Sequence, residues 1–276
     1  MKNEIGVRIT LRENENLTDR FKKAIEMGLD SCQLCIWEEK HYADEYAEKV
    51  KKALAETGFK ISALWAGWDG PAEWNFSYGP ATIGLVPAAY RDSRLKTMLR
   101  ASDFAEKIGV NKVVTHVGFI PENPDHPDFA GVVGALRKLC GYMKAKGQYF
   151  LFETGQETPV TMLRTIQAIG TDNLGVNFDT ANLILYGKAN TLDALDTIGS
   201  YVMETHIKDG FYPTDGMSLG KEVAAGDGKA NLPAVVKKLS ELGYKGTYTI
   251  EREISGDQQV ADIIKARDLL KIWMEQ

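Results

Sequence analysis

The sequence predicts a single-domain protein of the α/β class, a (β/α)8 TIM barrel formed by residues 1–276. The chain has 276 residues, close to the roughly 250 that such a barrel requires. Short apolar runs alternate eight times with helical patterns, as expected for a parallel sheet built from βα units. No Gly-x-Gly-x-x-Gly turn follows the first strand, so the sequence disfavours the rival open, doubly wound sheet.

The first half of the chain contains four strand–helix units. The predicted strands are residues 5–10, 32–37, 60–66 and 110–117. The helices after them cover residues 17–27, residues 42–56, a segment ending at residue 108, and residues 129–146. Gly28 and Gly58 follow two of these helices, where glycine commonly ends a helix. A long connection, residues 67–90, precedes the third helix.

The second half repeats the same unit four times. The predicted strands are residues 149–153, 174–179, 202–208 and 247–251. The predicted helices are residues 159–169, 191–198, 231–242 and 258–274. A second long loop leads from the seventh strand to Lys229. No change in composition marks a second domain.

Composition excludes several classes of protein. Hydrophobic residues make up 44% of the chain and charged residues 26%, which excludes a disordered chain. The net charge is -5 and no long basic run is present, so we expect no nucleic-acid partner. No apolar stretch approaches the ~20 residues of a membrane span, and no signal peptide precedes the first strand, so we expect no membrane association.

The cysteines predict a reducing, cytoplasmic location. Cys32, Cys35 and Cys140 are an odd number without a disulfide framework. Cys32 and Cys35 have the spacing of a redox pair, but they lie inside one apolar run. In a strand their side chains would point to opposite faces. We therefore interpret them as buried thiols.

Four ligand-type residues end four consecutive predicted strands: Glu153, Asp179, His206 and Glu251. Adjacent parallel strands would bring them to one point at the rim of a barrel, where chemistry occurs in this fold. Three carboxylates gathered there would repel one another unless a cation binds between them. Three oxygen donors and one nitrogen suit Mn²⁺, Co²⁺ or Mg²⁺ better than structural zinc. The alternative is that each acid caps the next helix or faces solvent.

These residues, with the motifs His206-Ile-Lys-Asp and Ile250-Glu-Arg-Glu, resemble the xylose-isomerase-like superfamily of sugar and sugar-phosphate isomerases and epimerases. The resemblance implies one divalent metal ion, often Mn²⁺, bound by Glu153, Asp179, His206 and Glu251. It also implies that Glu153 and Glu251 are catalytic and move a proton between adjacent carbons through an enediolate. Such a role is chemically consistent, because a metal that bridges a carbonyl and a hydroxyl acidifies the neighbouring C–H.

One position departs from a branch of this superfamily. Ketose 3-epimerases and the related abasic-site endonucleases carry histidine three residues after the aspartate, where this chain has Asn182. Asparagine can hydrogen-bond a sugar hydroxyl but replaces histidine poorly as a zinc ligand. A free-ketose 3-epimerase is therefore disfavoured, and the endonuclease, which needs more than four histidines, even more so.

Other candidates for substrate binding each have a structural alternative. His116 ends the fourth strand, and Glu157 follows Glu153 in a loop where it could instead favour a helix N-terminus. Lys208 shares the strand face of His206, although it could form a salt bridge with a helix. Arg252 directly follows Glu251, so in a regular strand its side chain would point to the opposite face. Glu204 could orient His206 or pair with an arginine inside the barrel.

The connection of residues 67–90 is rich in aromatic side chains, among them Trp68. Aromatic rings stack on the apolar faces of sugars, so Trp68 is a candidate substrate contact in a loop that covers the rim. The alternative is a contact between subunits of a homo-oligomer, because interfaces are also enriched in aromatic residues.

Together these observations predict a metal-dependent isomerase or epimerase of a small carbohydrate, with a slight preference for an unphosphorylated one. One alternative is a metal-dependent lyase or deglycosidase that eliminates the aglycone from a 3-oxo-glycoside. Another, of a different class, is a carbohydrate-binding barrel without catalysis.

Overall fold

Eight parallel strands close into a barrel because a helical connection after each one returns the chain to the start of the next. The computed structural model describes residues 3–275. Around the barrel the strand order is β1-β10-β7-β6-β5-β4-β3-β2, and β1 pairs with both β10 and β2. The predicted (β/α)8 barrel is thereby confirmed. The strands are β1 Ile5–Thr10, β2 Ser31–Ile36, β3 Lys60–Ala66, β4 Lys112–Thr115, β5 Tyr149–Glu153, β6 Leu174–Asp179, β7 Val202–Ile207, β8 Asp209–Phe211, β9 Lys221–Val223 and β10 Tyr248–Ile250.

Helices surround this barrel, and several begin at residues with strong capping chemistry. The side chains of Asn16, Thr158 and Asn190 each accept a hydrogen bond from a backbone N–H of the first turn. Gly170 ends its helix in the left-handed conformation, with φ 69°. The helices are α1 Leu17–Glu26, α2 Asp44–Thr57, α3 Gly79–Thr82, α4 Ala88–Lys107, α5 Pro127–Lys144, α6 Pro159–Ile169, α7 Asn182–Leu185, α8 Thr191–Ile198, α9 Leu232–Glu241 and α10 Asp257–Trp273.

The long loops contain more structure than the sequence predicted. Helix α3 lies within residues 67–90, and β8 and β9 form an antiparallel hairpin within the loop after β7. The carboxylate of Asp209 holds the end of that loop by accepting backbone N–H groups of Gly226, Gly228 and Ala230. These contacts between distant segments leave no simple period in the sequence.

Apolar side chains pack in two layers. A large cluster fills the space between barrel and helices, and a smaller one lies inside the barrel around Cys35, Trp65 and Leu151. Cys32 belongs to the outer cluster and Cys35 to the inner one, so the expectation that they face opposite ways is confirmed. No helix among residues 3–275 has both the length and the apolar character to cross a bilayer.

Candidate metal centre

The four strand-end residues meet at the carboxyl end of the barrel. Glu153 and Asp179 are the last residues of β5 and β6, His206 is next to last in β7, and Glu251 directly follows β10. The register places Asp179 beside His206. All four side chains are buried, and each offers a donor atom within 4.8 Å of the others. The barrel therefore gathers three carboxylates and one imidazole at a single point.

The imidazole of His206 lies at the middle of this cluster. Its Nδ1 is 2.7 Å from Glu153 Oε1, 3.2 Å from Glu251 Oε2 and 3.8 Å from Asp179 Oδ2. Burial alone would lower the pKa of His206, but the charges of Glu153 and Glu251 outweigh it and raise the pKa well above its ordinary value. The cluster thus strongly favours a positive charge at its centre.

Asp179 shows where a cation would be held. Its Oδ1 accepts the backbone N–H groups of Ala181 and Asn182, at 2.8 and 2.7 Å, while its buried Oδ2 has no hydrogen-bond partner. Burial raises the pKa of this carboxyl to about 6. A buried carboxylate oxygen without a partner is costly, and a divalent cation relieves that cost. The donor set, three carboxylates and one imidazole, fits a hard or borderline divalent metal.

The two glutamates are held by different neighbours. Glu153 accepts a hydrogen bond from Trp65 Nε1 and lies 3.4 Å from His116 Nε2. Glu251 lies 3.1 Å from Arg8 Nε and 3.6 Å from Lys208 Nζ. Burial would raise the pKa of both carboxyls, but the neighbouring positive charges lower both, and that of Glu251 well below its ordinary value. Both side chains are therefore carboxylates at neutral pH.

The orientation of His206 is set by a residue that the sequence did not single out. Gln33 Oε1 lies 2.8 Å from His206 Nε2, and Gln33 Nε2 donates to Asn177 Oδ1 at 2.8 Å. The expectation that Glu204 orients His206 is wrong, because Glu204 pairs with Lys112. Glu204 stands two positions before His206, about 6.6 Å along the strand. The signal in the sequence that could have identified Gln33 is that it is a lone glutamine inside the apolar run of β2.

A cavity of about 280 Å³ lies over the centre. Among the predicted substrate contacts, His116, Asn182 and Lys208 line it. Lys208 Nζ donates to Glu253 Oε2 at 2.6 Å and to Asn182 Oδ1 at 3.4 Å. The wall also includes Trp65 and Trp74, which belong to the aromatic-rich part of the sequence that we expected to contact a sugar. The remaining wall residues were not identified from the sequence as site residues: Arg8, Trp37, Gln156, Leu185, Tyr186, Leu219 and Glu253.

Three wall residues carry buried polar atoms without partners: His116 Nδ1, both atoms of the Gln156 amide, and the Tyr186 hydroxyl. Burying such groups unpaired is costly, so they are suited to hydrogen-bond a polar ligand. Gln156 stands next to the predicted contact Glu157, whereas nothing in the local sequence distinguishes Tyr186.

Glu157, Trp68 and Arg252 lie outside this wall. Both oxygens of Glu157 are buried without a partner, and burial raises its pKa to about 8. Trp68 is 5% exposed and packs under the guanidinium of Arg94, 4.9 Å from its ring. Substrate contact by these three residues stays a prediction. For Glu157 and Trp68 it requires side-chain positions other than those in the structure, whereas Arg252 lines the wider cleft beside this cavity.

The position of Arg252 has an electrostatic cause. Its guanidinium pairs with Glu222 at 2.8 Å and with Asp262 at 2.7 Å, which turns it away from the metal cluster. This direction agrees with the expectation that the side chains of Arg252 and Glu251, as adjacent residues, face opposite ways.

This chain is similar in sequence and in fold to several known proteins. Residues 21–273 match the family model of the xylose isomerase-like TIM barrel. A xylose isomerase domain protein from Planctomyces limnophilus is 32% identical, with a TM-score of 0.91 over 99% of this chain and 98% of that one. An uncharacterized protein of Methanocaldococcus jannaschii is 29% identical over 95% of this chain and 86% of its own length. The 3-keto-D-glucoside 4-epimerase of E. coli is 18% identical, with a TM-score of 0.75 over 98% and 100% of the chains, and shows likeness of fold alone.

Proposed function

The chain belongs to the xylose isomerase-like TIM barrel family, and on that premise we propose that it is a divalent-metal-dependent isomerase or epimerase of a sugar or sugar derivative. The observation that carries the proposal is the arrangement of the two glutamates. Glu153 and Glu251 come from strands separated by the two that position Asp179 and His206, and both face one cavity. Two carboxylates so placed can exchange a proton with one bound sugar.

In this proposal Glu153, Asp179, His206 and Glu251 hold one metal ion, with Mn²⁺ expected and Co²⁺ or Mg²⁺ as substitutes. When bound, the metal supplies electrostatic stabilisation for the negative charge that develops on the oxygens of an enediolate. The unpartnered Asp179 Oδ2 and the central Nδ1 of His206 support this assignment.

The protein's own residues then move the proton. One glutamate removes the hydrogen from the carbon beside the sugar carbonyl, and the other returns it. Return to the opposite face of the same carbon gives an epimer, and return to the neighbouring carbon gives an isomer. Arg8 and Lys208 keep Glu251 anionic, while Trp65 and His116 orient Glu153.

The cavity wall supports a carbohydrate as the substrate. His116, Gln156, Asn182 and Tyr186 offer hydrogen-bonding groups for hydroxyls, and Lys208 offers a cationic donor. Trp74, which is 37% exposed, supplies an aromatic face at the same wall. A volume of about 280 Å³ is at the low end for ligand pockets, in keeping with a single sugar ring.

Elimination from a 3-oxo-glycoside is the second candidate. One glutamate removes the proton beside the carbonyl, and the other supplies a proton to the aglycone oxygen as the bond from that oxygen to the next carbon breaks. The favouring observation is that the cavity adjoins a wider cleft at Arg8 and Glu251, where a leaving group has room.

The test is turnover in D2O. Protein stripped with EDTA and reloaded with Mn²⁺, Co²⁺ or Mg²⁺ is incubated with aldoses, ketoses and 3-oxo-glucosides and followed by NMR. Deuterium at the carbon beside the carbonyl of a new sugar supports the isomerase, and a released aglycone supports the lyase. Binding of these sugars without turnover would identify a binding protein. Product without any deuterium at full conversion would reject the two-glutamate proton transfer in favour of hydride transfer.

A further inference from the structure

A second, wider cleft adjoins the cavity over the metal centre. It has a volume of about 1230 Å³ and lies between the segment that follows β1 and the segment that follows β10. The two spaces share the side chains of Arg8, Trp37, Glu251 and Glu253. The cleft therefore lies directly beside Glu251, where a ligand that reacts in the cavity would have its nearest extra space.

The charges of the cleft favour an uncharged occupant. Its cationic side chains are matched by as many carboxylates. Arg12 pairs with Glu15 at 2.9 Å, and Arg20 contacts the same carboxylate. Because these cations already have partners, the cleft offers no free cluster for a phosphate or a carboxylate.

The surface of the cleft favours a polar ligand with one flat apolar face. Most of the lining side chains are polar, so the cleft suits a large apolar group poorly. Trp37 is half-buried at the junction of the two spaces, with its ring 4.6 Å from that of Trp65. A sugar ring combines hydroxyls at its edge with C–H groups on its faces, so it matches both the polar walls and the indole.

From these features we infer that the substrate is a glycoside in which the reacting sugar carries a second, uncharged glycosyl unit. The reacting ring occupies the cavity, and the second unit extends past Trp37 into the cleft. This inference rests on the proposed function for the reacting end, but it concerns a different surface.

The test compares matched substrates that differ by one glucosyl unit: D-fructose with isomaltulose, and a methyl 3-oxo-glucoside with 3-oxo-cellobiose. In whichever pair the Mn²⁺-loaded protein turns over, we expect kcat/KM to be at least about tenfold higher for the substrate that carries the extra glucosyl unit. A tenfold ratio corresponds to one moderate set of contacts. Ser255, an exposed residue of the cleft wall, is changed to Trp to fill the cleft. Ser255→Trp should abolish the preference and leave turnover of the smaller substrate unchanged.

The matched control is Ser200→Trp, at an exposed position just before β7 and thus at the opposite end of the barrel. It should retain the preference. Gln259→Trp, a second change in the cleft wall, guards against a folding defect in one variant. Equal kcat/KM within each pair, or a preference that both cleft variants retain, would overturn the inference.

A binding measurement separates this inference from the proposed catalysis. Maltitol and sorbitol are unreactive and differ by one glucosyl unit, and their Kd values are measured by calorimetry on the Mn²⁺-loaded protein. Tighter binding of maltitol that Ser255→Trp removes would support the glycoside site even if no sugar is turned over. Equal Kd values would reject it even if a monosaccharide is turned over.

Discussion

His206 Nε2 lies 2.8 Å from Gln33 Oε1, and this contact determines which nitrogen of the imidazole faces the carboxylates. The Gln33 amide donates to Asn177, so its oxygen is directed at His206 and requires a proton on Nε2. Nδ1 is then the nitrogen that faces the carboxylates of Glu153, Asp179 and Glu251, and it can bind a metal ion once it loses its proton. Gln33 thus prepares His206 to bind a metal.

We expect Gln33→Leu to lower the affinity for Mn²⁺ by about 10- to 100-fold, because the imidazole loses its orienting partner. The measurement is a calorimetric titration of the metal-free protein. Gln33→Glu retains an acceptor at this position and should bind more tightly than Gln33→Leu. Equal affinities for wild type and Gln33→Leu would remove Gln33 from the site.

Asp179→Ala should greatly reduce metal binding, since it removes a ligand and leaves the other acids to repel one another. Elemental analysis of protein dialysed against Mn²⁺ should give about one ion per chain in the wild type for a four-ligand site. Asp179→Asn is the matched control for structure, because its amide oxygen can still accept the N–H groups that Oδ1 binds. Undiminished metal content in Asp179→Ala would contradict the assignment.

Glu251→Gln should lower kcat by about two to four orders of magnitude, the usual contribution of a positioned acid or base. Because Glu251 is also a proposed ligand, metal content must be measured on the same sample. Deuterium incorporation from D2O should fall in parallel with turnover. A metal-loaded Glu251→Gln with a rate near that of the wild type would exclude Glu251 from the proton transfer.

The two tryptophans of the long loop should respond differently to truncation. Trp74 lines the cavity, so Trp74→Ala should raise KM several-fold with little change in Tm. Trp68 is buried against Arg94, so Trp68→Ala should lower the free energy of unfolding by about 3–5 kcal/mol. A change in elution volume on gel filtration would instead assign either residue to an interface between subunits.

The stability of the protein should depend on the protonation of Glu157. Burial raises the pKa of this carboxyl in the folded state to about 8, from an ordinary value of 4.5. Between these values the folded state binds a proton that the unfolded state does not, so stability falls as pH rises through this window. Each unit of pKa corresponds to about 1.4 kcal/mol, so the total is on the order of a few kcal/mol.

Glu157→Gln removes this titration, so its stability relative to the wild type should increase from pH 5 to pH 8. Urea denaturation at several pH values measures the difference. Glu26→Gln, at an exposed position of α1, is the control and should show no such trend. A difference between Glu157→Gln and wild type that stays constant with pH would show that Glu157 is not a buried, neutral acid.

Much of the centre could be predicted because its residues follow a local rule. Glu153, Asp179, His206 and Glu251 each stand where an apolar strand ends, and the fold brings all such positions to one rim. Prediction of the alternating strands was therefore sufficient to predict that these four meet. Cys32 and Cys35 follow equally from the two-residue period of a strand.

The same local rule does not predict contacts between residues on different strands of the barrel. Gln33 and His206 are 173 residues apart, and nothing near either one shows that they meet. Likewise, Arg8 was not expected at Glu251, although β1 and β10 are neighbours in the closed barrel. The register that pairs such residues arises from closure of the whole sheet.

The sequence alone therefore determined the barrel and the four strand-end residues, because side-chain period and strand ends are properties of short segments. Tertiary structure decided how His206 is oriented, which tryptophan faces the cavity and where Arg252 points. Each of these depends on packing and ion pairs between residues distant in the chain, as Trp68 with Arg94 and Arg252 with Glu222 illustrate. Their energies exist only once the barrel has brought the partners together.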